Sequence, residues 1–208
     1  MAFDYKKEYK EFYLPKDEPT IVEIPTMNYI SVKGKGDPNE VDGEYSRAME
    51  LLYAIAYTIK MSYKGSYEIE GYFDYVVPPL EGLWWQDTKD MNYTRKDKLN
   101  WVSLIRLPDF VANKDFDWAI LEATKKKKKD FSKVEYLTYE EGTCVQCMHT
   151  GSYDNEPKTV KLMSVFITEN GYIIDITDTR PHHEIYLNDP RKTDISKLKT
   201  VIRHPIKK

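Results

Sequence analysis

The sequence predicts an α+β fold of two β-α-β-β modules in tandem, on a largely antiparallel sheet with a central ligand cleft. Four landmarks recur in the same order in each half. They are Gly36, Gly71-Tyr72, Glu81 and Arg106-Leu107-Pro108, then Gly151, Gly171-Tyr172, Glu184 and Arg203-His204-Pro205. In each half an alternating apolar segment precedes a helical one, and two further alternating segments follow. A doubled unit often leaves a groove between its halves, and a glutamate brought there among aromatic residues points to a small-molecule site.

The elements follow in order. Phe3 to Glu18 is a short polar arm, and Thr20 to Ile24 is a strand ending at Pro25. The first module opens with a strand over Met27 to Lys33. Asp37-Pro38-Asn39-Glu40 carries the features of a helix start: a capping Asp, Pro in the first turn and Glu three residues on. That helix runs to about Tyr63, turns Ala48, Leu52, Ile55 and Ile59 to the sheet, and ends at Gly65. Extended Tyr72 to Val77, the breaker Pro78-Pro79, a strand over Leu80 to Gln86, a polar loop over Asp87 to Lys98 and a strand over Leu99 to Leu107 complete the module. A linking segment from Asp109 to Tyr139 holds one amphipathic helix with Phe116, Trp118, Ile120 and Leu121. The second module repeats the order: a strand over Thr143 to Thr150, a helix from about Glu156 to Glu169 stopped by Gly171, and strands over His183 to Asn188 and Thr200 to Ile206. We read 1–208 as a single domain of two lobes, with the repeats at about 20–108 and 141–208 and the link at 109–140.

Bulk composition narrows the function classes. The 208 residues, 41% hydrophobic and 13% aromatic, suffice for a substantial core. A net charge of -3 gives no long-range attraction to phosphate backbones, so nucleic acid is not the expected partner. Lys125 to Lys129 reads as the solvated end of a helix. No stretch reaches the ~18 apolar residues of a membrane span, and no signal core follows Met1. No membrane association and a cytoplasmic location are therefore expected. Cys144 and Cys147 lie three apart on a strand and face opposite ways, which suits neither a metal nor a redox dithiol, and no cofactor is expected. The four histidines lack the helical pair spacing of a zinc hydrolase, so no metal is expected either.

The densest local feature is Arg180 to Arg191. Strand alternation sets His182, Glu184 and Tyr186 on one face and His183, Ile185 and Leu187 on the other. Ile185 and Leu187 suit the core, so Glu184 points to the groove, as a general base or as counter-ion to a cationic guest, or else outward from an edge strand. Glu81 is read as its equivalent in the first half. Alternation groups Trp85 with Glu81 and leaves Trp84 to the core, although a bulge at Gly82 would reverse this. One of the two indoles is exposed in the groove to stack on a flat ligand. Trp101 and Tyr57 are further lining candidates, or plain core aromatics. The turn His149-Thr-Gly-Ser-Tyr153 lacks the length and lysine of a phosphate loop, and His149 or Tyr153 is a candidate proton donor or acceptor.

At these positions the chain resembles the GyrI-like small-molecule-binding family. The resemblance rests on Val32-Lys-Gly-Lys-Gly-Asp-Pro-Asn39, Pro79-Leu-Glu-Gly-Leu-Trp-Trp85, the turn His149 to Tyr153 and, most specifically, His182-His-Glu-Ile-Tyr-Leu-Asn-Asp-Pro-Arg191. It implies paired β-α-β-β modules around a cleft that takes planar aromatic, often cationic, small molecules through a buried glutamate. With no helix-turn-helix attached, the chain resembles the stand-alone cyclopropanoid cyclopropyl hydrolases of that family, cofactor-free detoxifying enzymes that open the strained ring of spirocyclopropane DNA alkylators with water. The resemblance then implies Glu184 as the group acting on water, Tyr153 or Tyr186 assisting, and Trp84 or Trp85 holding the drug. The alternatives are a multidrug-binding module that sequesters without turnover and, in the manner of the family's namesake, a gyrase-interacting protein.

Overall fold

The two repeats meet edge to edge in one continuous sheet. The computed structural model describes residues 2–88 and 95–208. Two short helices, α1 (Tyr5–Glu8) and α2 (Lys10–Tyr13), form the N-terminal arm. They precede β1 (Thr20–Ile24), β2 (Met27–Lys35), α3 (Glu44–Lys60), β3 (Leu80–Trp85) and β4 (Asn100–Arg106). The link holds α4 (Asn113–Lys127) and β5 (Glu135–Tyr139). The second half holds β6 (Gly142–Thr150), α5 (Glu156–Glu169), β7 (Ile173–Ile174), β8 (His182–Tyr186) and β9 (Lys199–Lys207).

The sheet runs β1-β6-β9-β8-β3-β4-β2-β5, with β7 added on β9, and every pairing is antiparallel. Read outward from the central β8–β3 pair, each half gives the same strand order, and β1 and β5 cover the two outer edges. The symmetry extends to single bonds. Gly36 donates its N–H to the Leu99 carbonyl, and Gly151 donates to the Leu198 carbonyl. Both glycines sit at positive φ, 116° and 123°, where other side chains are strained.

The helices pack on one face. α3 buries Ala48, Leu52, Ile55 and Ile59, the expected four, against Ile30, Val32, Trp101 and Ile105. α5 buries Met163 and Ile167 against Val145, Cys147, Ile202 and Ile206. Removing a side chain such as Leu52 from water contributes about 1.5–3 kcal/mol. The arm seals the opposite face, where Tyr5 and Tyr13 pack with Ile185, Val201 and Tyr75. Cys144 and Cys147 are free and belong to different clusters on the two faces, as alternation requires.

Several boundaries differ from the expectation. The first helix begins at Glu44, not Asp37. The Asp37 carboxylate instead accepts the Asn39 N–H at 2.9 Å, closing a tight turn, and Asp42 at φ 55° breaks helical continuity before Gly43. The helix ends at Lys60, and a single 3-10 turn over Ser62–Lys64 carries the chain to Gly65. The link also holds β5, where the sequence predicts only a helix. The loop expected over 87–98 closes with a 3-10 turn at Lys96–Lys98, and its residues 89–94 lie outside the described residues.

The two ladders fix how the halves correspond. Since Leu99 matches Leu198, Leu104 matches Arg203, and the residues opposite these on the neighbouring strands, Glu81 and His183, are equivalent. Gly82 then corresponds to Glu184, and the two face each other directly across the β3–β8 pair. The pseudo-twofold axis runs through that pair. Glu81 is therefore not the counterpart of Glu184, and Arg106 is not the counterpart of Arg203. A slip of one residue moves a side chain to the other face.

Candidate functional site

β8 presents His182, Glu184 and Tyr186 on the helix face of the sheet, as alternation indicated. Glu184 and Tyr186 line a cavity of about 1290 Å³ between the two halves, whereas His182 is buried behind Glu184 and does not reach the cavity wall. Its wall includes Tyr45, Met49 and Tyr53 of α3, Trp84 of β3, and Tyr153 and Glu156 at the start of α5. The turn over 38–42, where a helix had been expected, forms part of the rim.

Glu184 lies on the floor with both oxygens engaged. Oε1 is 2.9 Å from His182 Nε2, and Oε2 accepts the Tyr186 hydroxyl at 2.7 Å. Trp84 Nε1 donates to that hydroxyl at 2.9 Å, so an indole, a phenol and a carboxylate form one chain. This closeness depends on Gly82. A Cβ there would lie 2.5 Å from Trp84 Nε1 and 3.0 Å from the Tyr186 oxygen. Behind the floor, His182 Nδ1 is 2.7 Å from His204 Nε2.

The second carboxyl at the floor belongs to Glu156, in the first turn of α5, and is 3% exposed. Sequence reasoning missed it. Alternation cannot reach a helix residue, and a glutamate beside Pro157 at a helix start resembles ordinary capping chemistry. Burial, and then the charge of Glu184 with which it is hydrogen-bonded, raise the Glu156 carboxyl to about 10, so it holds a proton at neutrality. Burial works the same way on Glu184, but hydrogen bonds from His182, Tyr186 and Glu156 outweigh it and keep Glu184 below the usual carboxylate range. Burial and the Glu184 charge push the Tyr186 hydroxyl well up, keeping it a donor. Tyr153 is raised to about 12 chiefly by burial and then by Glu184, and its ring meets that of Tyr186 edge-on at 6.0 Å. The floor therefore holds one negative charge on two carboxyls, an ionised acceptor beside a neutral donor.

The other candidates are dispersed. Trp84, not Trp85, lines the cavity; Trp85 is on the opposite face with Lys33 Nζ 5.5 Å over its ring. Tyr57 stands at the rim and is 52% exposed. Trp101 is fully buried outside the wall, its indole pressed over Gly34 and edge-on to Tyr45. His149 closes the turn before α5, with Nδ1 2.9 Å from Thr159 Oγ1 and Nε2 3.0 Å from the Ser152 carbonyl, and does not reach the cavity wall.

Glu81 lies under the sheet. Its Oε2 is 3.0 Å from His183 Nε2, and His183 Nδ1 is 3.0 Å from Glu141 Oε1. Arg203 donates to Glu141 Oε2 at 2.9 Å and to the Phe12 carbonyl of the arm at 2.8 Å. Burial opposes charge on both His183 and Glu141. The carboxylates nonetheless raise His183 to about 9, and His183 and Arg203 hold Glu141 down to about 2. This is an ionic staple joining sheet and arm, away from the cavity.

Glu156, His182 and Glu184 offer ligand atoms all within 4.8 Å of one another, and could together hold a divalent cation. His182 Nε2 and both Glu184 oxygens already have partners within the protein, whereas Glu156 Oε1 is buried without one. No helix among the described residues is long and apolar enough to cross a membrane.

Known structures agree with this architecture. An uncharacterized conserved protein from Listeria innocua is 46% identical, with 99% of this chain and 100% of that one covered and a TM-score of 0.94. A structure described as a hydrolase from Listeria innocua is also 46% identical over 99% of this chain and 100% of that one, with a TM-score of 0.90. The C-terminal domain of EcmrR shares the fold at 15% identity, covering 92% of this chain and 98% of that one with a TM-score of 0.55. No curated protein matches the chain. The model of the GyrI-like small molecule binding domain matches residues 17–207, and the chain belongs to the GyrI-like family.

Proposed function

We propose that the protein is a cofactor-free hydrolase of planar hydrophobic or cationic aromatic xenobiotics, acting on the strained cyclopropane of spirocyclopropane DNA alkylators. One observation carries this reading: an ionised glutamate and a protonated one share the floor of an aromatic-walled cavity. Trp84, Tyr153 and Tyr186 offer faces for a flat ring system. Glu184 takes a proton from water as the water oxygen bonds to the ring methylene. The C–C bond to the spiro carbon breaks, and its electron pair passes into the conjugated carbonyl, whose oxygen gains a proton from solvent. Glu184 then returns its proton to solvent. Glu156, hydrogen-bonded to Glu184, keeps the pair at a single negative charge. Release of ring strain makes positioning and exclusion of solvent the main requirements. A structure described as a hydrolase at 46% identity supports the reaction class.

Mass spectrometry of a spirocyclopropane alkylator incubated with the protein tests the proposal. Product heavier by one water, formed catalytically by wild type and lost in Glu184→Gln, is the expected result, and an unchanged rate in Glu184→Gln contradicts the role assigned to Glu184. A second reading has support in the charge of the wall, where Glu40, Asp42, Glu50, Asp154 and Asp189 join Glu184 against Lys6, Lys96 and Arg191. In this reading the cavity sequesters cationic guests without turnover. Glu184→Gln then weakens cationic dyes more than neutral ones, and equal affinity for both counts against it.

A further inference from the structure

We propose that His204 is a positioning residue that fixes, through His182, the tautomer and aim of the group donating to Glu184; this rests on the reading of Glu184 as the base. The chain His204 Nε2, His182 Nδ1, His182 Nε2, Glu184 Oε1 has steps of 2.7 Å between the rings and 2.9 Å to the carboxylate. His204 is 3% exposed and His182 2% exposed, so water does not substitute for either ring.

The direction of the chain follows from its far end. His204 Nδ1 is buried and has no hydrogen-bond partner. An N–H buried there without an acceptor is costlier than a bare lone pair, so the His204 proton is assigned to Nε2. That N–H donates to His182 Nδ1. An accepting Nδ1 puts the His182 proton on Nε2, aimed at Glu184 Oε1. In the opposite tautomer a lone pair of His182 would face an ionised carboxylate.

Other groups also face Glu184. Tyr186 donates from the same strand, Glu156 hydrogen-bonds from α5, and Tyr45 of α3 and Tyr153 stand nearby. His204 differs in touching neither the cavity nor the carboxylate, so its effect on Glu184 passes through His182.

The test uses the full chain with His204→Met, which deletes the donor at similar volume, and His204→Gln, whose amide nitrogen retains one. Long-range ¹⁵N–¹H spectra of the ligand-free protein report the His182 tautomer, and a spirocyclopropane alkylator supplies kcat, KM and the pH profile. Wild type and His204→Gln are expected to show the His182 Nε2–H form. His204→Met is expected to admit the Nδ1–H form beside it, with kcat falling about tenfold, KM little changed and the acid limb of the profile moved to higher pH. A wild-type His182 protonated on Nδ1 alone overturns the proposal without any variant, and so does His204→Met with unaltered spectrum and kcat. If wild type opens no ring, the hydrolase reading fails, while the spectra still decide the positioning claim.

Discussion

A carboxylate placed among aromatic rings is unstable as an anion unless its lone pairs are met, and three neighbours do this for Glu184: His182, Tyr186 and Glu156. Because Glu156 carries the proton of the pair, Glu156→Gln replaces a neutral acid by a neutral amide of the same shape. Its Tm at pH 7–8 is expected to exceed wild type, since folding no longer has to supply the proton that an unfolded glutamate gives up above its ordinary 4.5. Calorimetry showing a lower Tm would contradict the protonated state. Gly82→Ala drives a methyl into Trp84 and Tyr186, and is expected to destabilise by about 1–3 kcal/mol and to abolish turnover together; a variant with normal activity would show that the close approach is dispensable. At this scale the sequence disclosed much of β8, because two-residue alternation separates His182, Glu184 and Tyr186 from His183, Ile185 and Leu187. It did not disclose Glu156 or His204. Nothing in a local pattern says that a helix-start glutamate will face another carboxyl, or that two histidines 22 positions apart will touch.

Elements whose periodicity is long and regular were legible, and those that depend on competing local bonds were not. The spacing of Ala48, Leu52, Ile55 and Ile59 identified the buried stripe of α3. Leu52→Ala is expected to cost about 2–5 kcal/mol in denaturant unfolding. The apparent capping box at Asp37 misled, because Asp37 closes a turn onto Asn39 seven residues before the helix begins at Glu44. Asp37→Ala is accordingly expected to change global stability by less than about 0.5 kcal/mol, as an exposed turn substitution does, and a loss of 1 kcal/mol or more in the same assay would restore it as a cap. The tryptophan pair shows the same limit: alternation states that the two indoles part, but strand pairing decides that Trp84 faces the cavity and Trp85 does not.

On the scale of the molecule, the repeat visible in the sequence becomes a sheet with a pseudo-twofold axis at Gly82 and Glu184, though only pairing registers locate the axis, and the sequence landmarks are off by one residue at Glu81 and by two at Arg106. The sheet separates two buried charge systems: the cavity floor above and the Glu81–His183–Glu141–Arg203 staple below. Their pH signs differ. Glu141, depressed to about 2 from 4.5, contributes stability above pH 4.5 that is lost as pH falls toward 2. His183, raised to about 9 from 6.5, contributes below pH 6.5 and is lost as pH rises toward 9. Glu156, raised, also disfavours the folded state increasingly above 4.5. Tm is therefore expected to peak between about pH 4.5 and 6.5 and to fall on both sides; a monotonic rise to pH 9 would contradict the staple.

Carboxyl-¹³C NMR titration of the glutamates in wild type, Glu156→Gln and Glu184→Gln tests the central claim directly. The paired-carboxyl site predicts one glutamate still protonated at pH 7 in wild type, absent from Glu156→Gln, beside an ionised Glu184. Full ionisation of every glutamate at pH 7 would contradict it, and with it the division of roles between the two carboxyls.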